Sequence, residues 1–261
     1  MKLKGRGWGI FWLVVGALYL LVPLYGMAQF SLETGPHSYG FHWYQTIFDS
    51  SQFRSSFLLS LRLALETVAI SLVLLVPTVF WVHLRLPRLR PLFEFLVILP
   101  FVVPPVALAV GLVGLFRPVT WLVSTPELLA FVYVILALPF SYRSLDAGMR
   151  AIDLRTLSQA AESLGARWTT TLRLVVLPNV RSSLLGASFL TLAIVMGEFT
   201  IASLLLFNTF PVYIEYIGET KAYPAAALAL ISFVLTWGAM LGMFIVGRGR
   251  GRTHTEVAMT R

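Results

Sequence analysis

Glu198, in Met196-Gly197-Glu198-Phe199-Thr200, is a carboxylate set well inside an apolar run. A charged side chain at the centre of a bilayer costs about 2.5–3.5 kcal/mol on insertion scales. Such a group must face a helix-bundle interior, water or a partner. Two uses compete for it: lining a path for a cationic solute, or serving as a buried structural group that hydrogen-bonds locally or pairs with an arginine such as Arg62. Arg62 has a nearer candidate in Glu66, four residues on, because i and i+4 share a helix face. Other reactive chemistry is missing. None of Lys2, Lys4 and Lys221 follows a glycine, so a GxxxxGK[ST] phosphate loop cannot be built. His37, His42, His83 and His254 form no HExxH, and the first two lie beside Trp43 and Tyr44, a composition that suits anchoring at a membrane interface better than metal binding. There is no GxSxG and no cysteine. A membrane enzyme therefore finds no nucleophile, metal cluster or acid–base pair here. Energised work would draw on a partner or an ion gradient.

The residues around Glu198 are positioned by long apolar segments. The chain of 261 residues is 57% hydrophobic and only 12% charged, against roughly 25% charged in soluble domains. Apolar runs at 8–30, 57–82, 93–116, 127–145, 182–207 and 223–246 each approach the roughly 20 residues that a helix needs to cross the hydrocarbon core. The expected fold is all-α: a polytopic membrane protein with six transmembrane helices. The net charge of +8 does not point to nucleic acid, because the basic residues cluster beside these runs. Lys2, Lys4 and Arg6, then Arg85, Arg88 and Arg90, then Arg143 through Arg181, then Arg248 through Arg261 occupy alternate loops and ends. The opposite loops hold only Arg54, Arg117 and Lys221. The positive-inside rule then places both termini in the cytoplasm. A cleavable signal peptide at 1–30 would have too long an apolar stretch and would leave an odd number of spans.

Pro100, Pro104 and Pro105 should kink or break the third run, either as a simple bend or as an irregular helix lining a pathway. Gly111 and Gly114, and Gly238 and Gly242, offer small surfaces for close helix packing. No internal repeat is evident.

The stretch 153–180 lies between the fourth and fifth runs and is amphipathic and basic. Asp153 is a natural N-cap. Leu157, Ala160, Ala161 and Leu164 recur at helical spacing and make one apolar stripe, with Gln159, Glu162 and Ser163 off it. Gly165 suits the left-handed position that ends the helix. A second helix with Trp168, Leu172 and Val175 on one side runs to Pro178, which ends it or opens the next span. The small Ala160-Ala161 pair would admit a close partner backbone. Physics alone leaves two uses open: docking a soluble partner, or lying on lipid with Arg167 and Arg173 at the headgroups.

The spacing resembles the EAA loop of type I permeases of ABC importers, whose pattern is E-A-A, three residues, G, nine residues, I-x-L-P. Here it is Gln159-Ala160-Ala161, Gly165 and Val175-Val176-Leu177-Pro178, in register throughout. Arg150 to Asp153, the hydrophobic run after Pro178 and the PFVVPP opening of the third run are also similar to the family. The resemblance covers 57–246 as the five-helix permease core, with 1–56 as an additional N-terminal helix and external loop and 247–261 as a basic cytoplasmic tail.

The resemblance implies a transport subunit in the inner membrane rather than an enzyme. A cytoplasmic ATPase dimer would carry ATP and Mg, with no cofactor in this chain. The docking residues would be Gln159, Ala160, Ala161, Glu162, Gly165, Leu177 and Pro178. A second permease subunit and an extracytoplasmic solute-binding protein complete the implied assembly, in contact with membrane lipid and without nucleic acid. ATP would close the ATPase dimer and switch the permease pair by alternating access. Gln159 departs from the family, which has an acid there to pair with a base on the ATPase; a charge-assisted bond is not available to an amide. Glu162 is the nearest carboxylate that could substitute. The expected cargo is a small polar solute, polyamine first, then ferric iron, thiamine, a phosphonate or an oxyanion. Gly197-Glu198-Phe199 also resembles sulfate and molybdate permeases. A secondary transporter, a channel or a membrane scaffold would leave the register of 159–178 unexplained.

Overall fold

The computed structural model describes residues 4–35 and 38–248. Lys2, His37, His254 and nearly all of the 247–261 tail, including Arg250, Arg252 and Arg261, lie outside them. The chain divides into two compact units, one comprising Met1–Ser55 with Tyr213–Leu235, the other Ser56–Val212 with Thr236–Arg261.

In the first unit, α1 (Lys4–Leu32) is a long helix whose apolar residues stay exposed. It leads into a short antiparallel ribbon of β1 (Glu33–Gly35) and β2 (Ser38–Tyr39), the one departure among the described residues from an all-helical chain. Then comes α2 (His42–Asp49). Trp43 Nε1 donates to Glu33 O at 2.7 Å, and the hydroxyls of Tyr44 and Ser31 lie 2.7 Å apart. The aromatic residues expected at the interface thus tie this connection back to the end of α1.

The second unit holds most of α3 (Ser51–Leu84), then α4 (Arg90–Val102), α5 (Pro105–Phe116), α6 (Thr120–Val123) and α7 (Glu127–Arg150). The third apolar run breaks where the prolines require it. A residue before proline is pushed out of the α region by the proline ring, and Val103 (φ −87°, ψ 119°) and Pro104 (φ −57°, ψ 137°) both precede one. Pro105 then opens α5 with its φ preset. The two halves meet at 99°. Pro100 is accommodated inside α4, so the break belongs to Pro104 and Pro105 alone.

After α7 come α8 (Leu154–Ser163) and a helix that begins as α9 (Trp168–Thr170), widens into a π turn over Thr171–Val176 and closes as α10 (Leu177–Asn179). Pro178 has no N–H to give to the preceding turn, which favours the local widening. Leu177 N–H bonds to Leu172 O, five residues back. The chain turns at Val180 into α11 (Arg181–Gly197), bent 81° from the preceding helix. α12 (Thr200–Leu204), α13 (Phe210–Thr220) and α14 (Ala222–Arg248) complete the chain.

Among the described residues, four helices are long and apolar enough to cross a membrane, or six if each bent pair is one span. The fold is an all-α polytopic membrane protein.

The closest packing lies between α7 and α11. Ser141 and Thr191 hydroxyls are 2.7 Å apart, Ser144 Oγ donates to Ser183 O at 2.9 Å, and a Cβ on Gly148 would meet Ser183 Oγ at 2.2 Å. Gly111, Gly114, Gly238 and Gly242, expected to mark close contacts, have no atom within 4 Å of an added Cβ. Spacing of small residues identifies a face; only the neighbouring helix decides whether that face is used.

Candidate functional site

The 153–180 loop is rooted in the core of the second unit. Leu154, Leu172, Val176 and Val180 are buried in one cluster with Leu75, Val79 and Phe80 of α3, Val97 of α4 and Leu145 and Met149 of α7. At its edge the rings of Trp81 and Trp168 lie 5.7 Å apart, tilted by 54°. The loop is therefore packed into the same core as the long helices rather than hanging from them.

Local sequence builds α8 at both ends. Asp153 caps it by accepting the Thr156 N–H at 3.2 Å. Thr156, by its hydroxyl and then its backbone N–H, holds the Asp153 carboxyl below its ordinary value. Gly165 adopts φ +81°. Its N–H bonds to Glu162 O at 2.9 Å and Ala166 N–H reaches Ala161 O at 3.0 Å, the two bonds of a Schellman cap.

The apolar stripe expected along α8 is split. Leu154, Ser158 and Ala161 face the core, Leu157 is half-buried, and Ala160 is exposed, as is Leu164 at 89%. The inward face is turned toward Leu154 because that leucine enters the core cluster, which rotates Leu164 outward. Ala161, expected at the docking face beside Ala160, instead packs inside this chain. Gln159, Glu162 and Gly165 are exposed, Pro178 is exposed and Leu177 half-buried. In the second helix Leu172 is buried, Val175 half-buried and Trp168 partly exposed, with Thr171 and Val176 also turned inward by the π turn.

Sequence reasoning missed a charge cluster. Asp146 on α7 is contacted by Arg90 Nη2 at 3.1 Å, by Arg150 Nη2 at 2.6 Å and by His83 Nε2 at 3.2 Å. Glu94 links Arg150 (3.0 Å) to Arg90 (3.2 Å). The cluster joins α3, α4 and α7. Arg90 with Glu94, and Asp146 with Arg150, are opposite charges at i and i+4, a signal present in the sequence.

Glu198 lies where α11 stops. Its backbone is extended (φ −79°, ψ 114°), and its carboxylate accepts the N–H of Ile201 at 2.8 Å and of Ala202 at 3.3 Å. Both oxygens thus cap the restart of the helix at α12, a local hydrogen-bonding role. Arg62 pairs with Glu66 at 2.7 Å, as the spacing indicated, and also with Glu127 at the start of α7, not with Glu198.

Residues 80–250 match the family of the binding-protein-dependent transport system inner membrane component. This chain belongs to that family, the type I permease subunits of ABC importers. The permease is 31% identical over 185 residues to a probable molybdenum ABC transporter permease protein of Haloferax volcanii, covering 66% of this chain and 67% of that one. A probable ABC transporter permease protein of Sinorhizobium fredii is 28% identical over 147 residues, 56% of this chain but only 26% of that longer relative. Its fold is that of a bacterial alginate ABC transporter crystallised with an alginate pentasaccharide-bound periplasmic protein: TM-score 0.70 at 17% identity, over 94% of this chain and 95% of that one. A second alginate importer structure has TM-score 0.69 at 16% identity, over 95% and 98%. Among the described residues no group of three or more His, Asp or Glu side chains could hold a metal.

Proposed function

We propose that this permease moves a small oxyanion of the molybdate class inward by alternating access, driven by a separate ATPase dimer that binds ATP and Mg. The observation that carries the coupling is α8. It is capped at both ends, anchored through Leu154 and Ala161 to the transmembrane core, and presents Gln159, Ala160, Glu162 and Leu164 outward. Leu164, exposed at the end of α8, would be covered by the ATPase cleft in this assembly. In this reading both termini and α8 lie in the cytoplasm, on the side of the arginine-rich loops. A second permease and a solute-binding protein on the outer face complete the assembly.

The oxyanion assignment is supported by the name of the Haloferax relative, which matches over two thirds of each chain. That name favours an oxyanion over polyamine, the first expectation.

The test is reconstitution with the cognate ATPase and binding protein in proteoliposomes. Leu164→Asp is expected to abolish ATP hydrolysis stimulated by loaded binding protein while leaving membrane insertion intact; normal stimulation in that variant would sink the docking assignment. Molybdate is expected to be taken up and spermidine not. The reverse preference would overturn the cargo.

A further inference from the structure

Within the first unit, the turn from α13 to α14 meets α2 and the start of α3 around a cavity of about 220 Å³. Its walls are apolar: Ile47, Ile217, Pro224 and Leu228, with Trp43 beside them. The polar pair among them is satisfied internally. The Ser50 and Tyr213 hydroxyls lie 3.4 Å apart, and Ser50 Oγ accepts the Phe53 N–H at 3.3 Å. The exposed lining residues, Thr46, Gln52 and Lys221, form the mouth. No acid is among the lining residues. The Gln52 amide and the Lys221 ammonium have no hydrogen-bond or ion-pair partner among the described residues. The positive-inside pattern does not account for Lys221, which stands on the side that the bases avoid. Nor does a helix dipole, because this lysine lies between the C-terminus of α13 and the N-terminus of α14, whose partial charges offset.

The cavity lies at the depth where the chain leaves hydrocarbon. α1 is long and apolar enough to cross a membrane and ends at Leu32. Trp43 on the cavity wall donates to Glu33 O, just past that end. Tyr223, two residues after Lys221, sets its ring 4.6 Å from that of Phe30 in the last turns of α1. No residue of α1 from Trp8 to Phe30 is buried, so this edge of the unit offers an apolar surface to lipid. Pockets that enclose a whole small ligand hold roughly 300–1,000 Å³. This smaller one takes part of a molecule whose remainder stays outside.

We propose that the cavity binds the headgroup end of an anionic phospholipid, in the leaflet opposite the arginine-rich loops. Lys221 and Gln52 donate to the phosphate. Thr46 already gives its hydroxyl hydrogen to His42 O at 3.0 Å, so its oxygen is left to accept from a headgroup hydroxyl such as phosphatidylglycerol carries. The start of one acyl chain covers the apolar walls. A carboxylate side chain of a partner protein would meet Lys221 but brings too few methylenes for those walls. Bound there, the lipid ties the α2–α3 junction to the α13–α14 turn.

Delipidated permease in detergent is titrated with phosphatidylglycerol and followed by native mass spectrometry and thermal melting. Lys221→Ala is expected to retain one phosphatidylglycerol fewer than wild type at the same lipid concentration, with affinity at this site about fivefold lower, the scale of one base at a membrane surface. It should melt like wild type without lipid and gain less when lipid is added. Lys221→Arg should keep both the lipid and the gain. Phosphatidylcholine, with no net charge, should not distinguish Lys221→Ala from wild type. Equal retention of phosphatidylglycerol by Lys221→Ala and wild type overturns the proposal. sn-Glycerol 3-phosphate is expected to leave the melting of wild type unchanged; a gain equal to that from the lipid assigns the cavity to a soluble anion and overturns it too. The same holds if Lys221→Glu, free of lipid, loses affinity for the solute-binding protein while its phosphatidylglycerol retention matches wild type, since the occupant is then a carboxylate of that partner.

Discussion

Arg90 on α4 holds Asp146 on α7 through both carboxylate oxygens, at 3.1 and 3.3 Å from one guanidinium nitrogen. Arg150 and His83 approach the same carboxylate, so Asp146 joins three helices. Breaking a buried ion pair from one side strands the remaining charges, but Arg150 is half-exposed and can turn to water. Asp146→Ala is therefore expected to destabilise by about 1–3 kcal/mol, less than a fully buried pair would. Asp146→Asn should fall between it and wild type, because the amide keeps one acceptor. Thermal melts in detergent check the order; equal melting of all three would show that the cluster is not structural.

Gly148 and Ser183 set the spacing of α7 and α11. An added methyl at Gly148 would meet Ser183 Oγ at 2.2 Å and its Cβ at 2.5 Å, so Gly148→Ala should destabilise by about 1–3 kcal/mol through overpacking. Combining it with Ser183→Gly should recover most of the loss. Melting curves of the two single variants and the double variant measure the coupling.

Asp153 ties the start of α8 to pH. Its carboxyl is held below the ordinary aspartate value by Thr156. A depressed pKa contributes stability that is complete above the unfolded value, about 3.9, and is lost as pH falls through the folded value. Exchange of the first α8 amides should therefore be insensitive to this cap at neutral pH and accelerate, beyond the intrinsic pH trend, only below that range. Asp153→Ala should show the accelerated exchange at neutral pH, and Asp153→Asn should remain protected.

The positive φ of Gly165 predicts a rank order rather than a single effect. A Cβ there has open space around it, so any penalty is backbone strain alone, about 1–2 kcal/mol for an ordinary residue. Gly165→Asn should be tolerated best, Gly165→Ala less well and Gly165→Val least. Binding-protein-stimulated ATP hydrolysis should follow the same order.

Glu198→Ala would leave the Ile201 and Ala202 N–H groups without acceptors in a largely apolar setting, at about 1–3 kcal/mol for the broken cap. Glu198→Gln keeps one acceptor oxygen and should retain transport. Uptake abolished by Glu198→Gln in a protein that melts normally would restore a direct role for the carboxylate in the solute path.

What could be determined from the chain alone is what a few neighbouring residues decide. The Pro104-Pro105 break, the Asp153 cap, the left-handed turn at Gly165 and the Arg62–Glu66 pair each follow from sterics or hydrogen bonding within one helical turn. The long apolar runs are equally local, since a bilayer tests every segment for length and polarity. The EAA register belongs here too, because it is a spacing. Tertiary structure decided which faces meet. The Leu157–Leu164 stripe was visible, but only the position of the α3 and α7 core under Leu154 turned Ala161 inward and left Leu164 open. Gly148 closes a helix contact while Gly238 faces open space, although a sequence ranks the second motif higher. Asp146 needed Arg90, 56 residues away, to become a hub. Contacts of that range depend on where whole helices pack, which side-chain spacing along one helix does not encode.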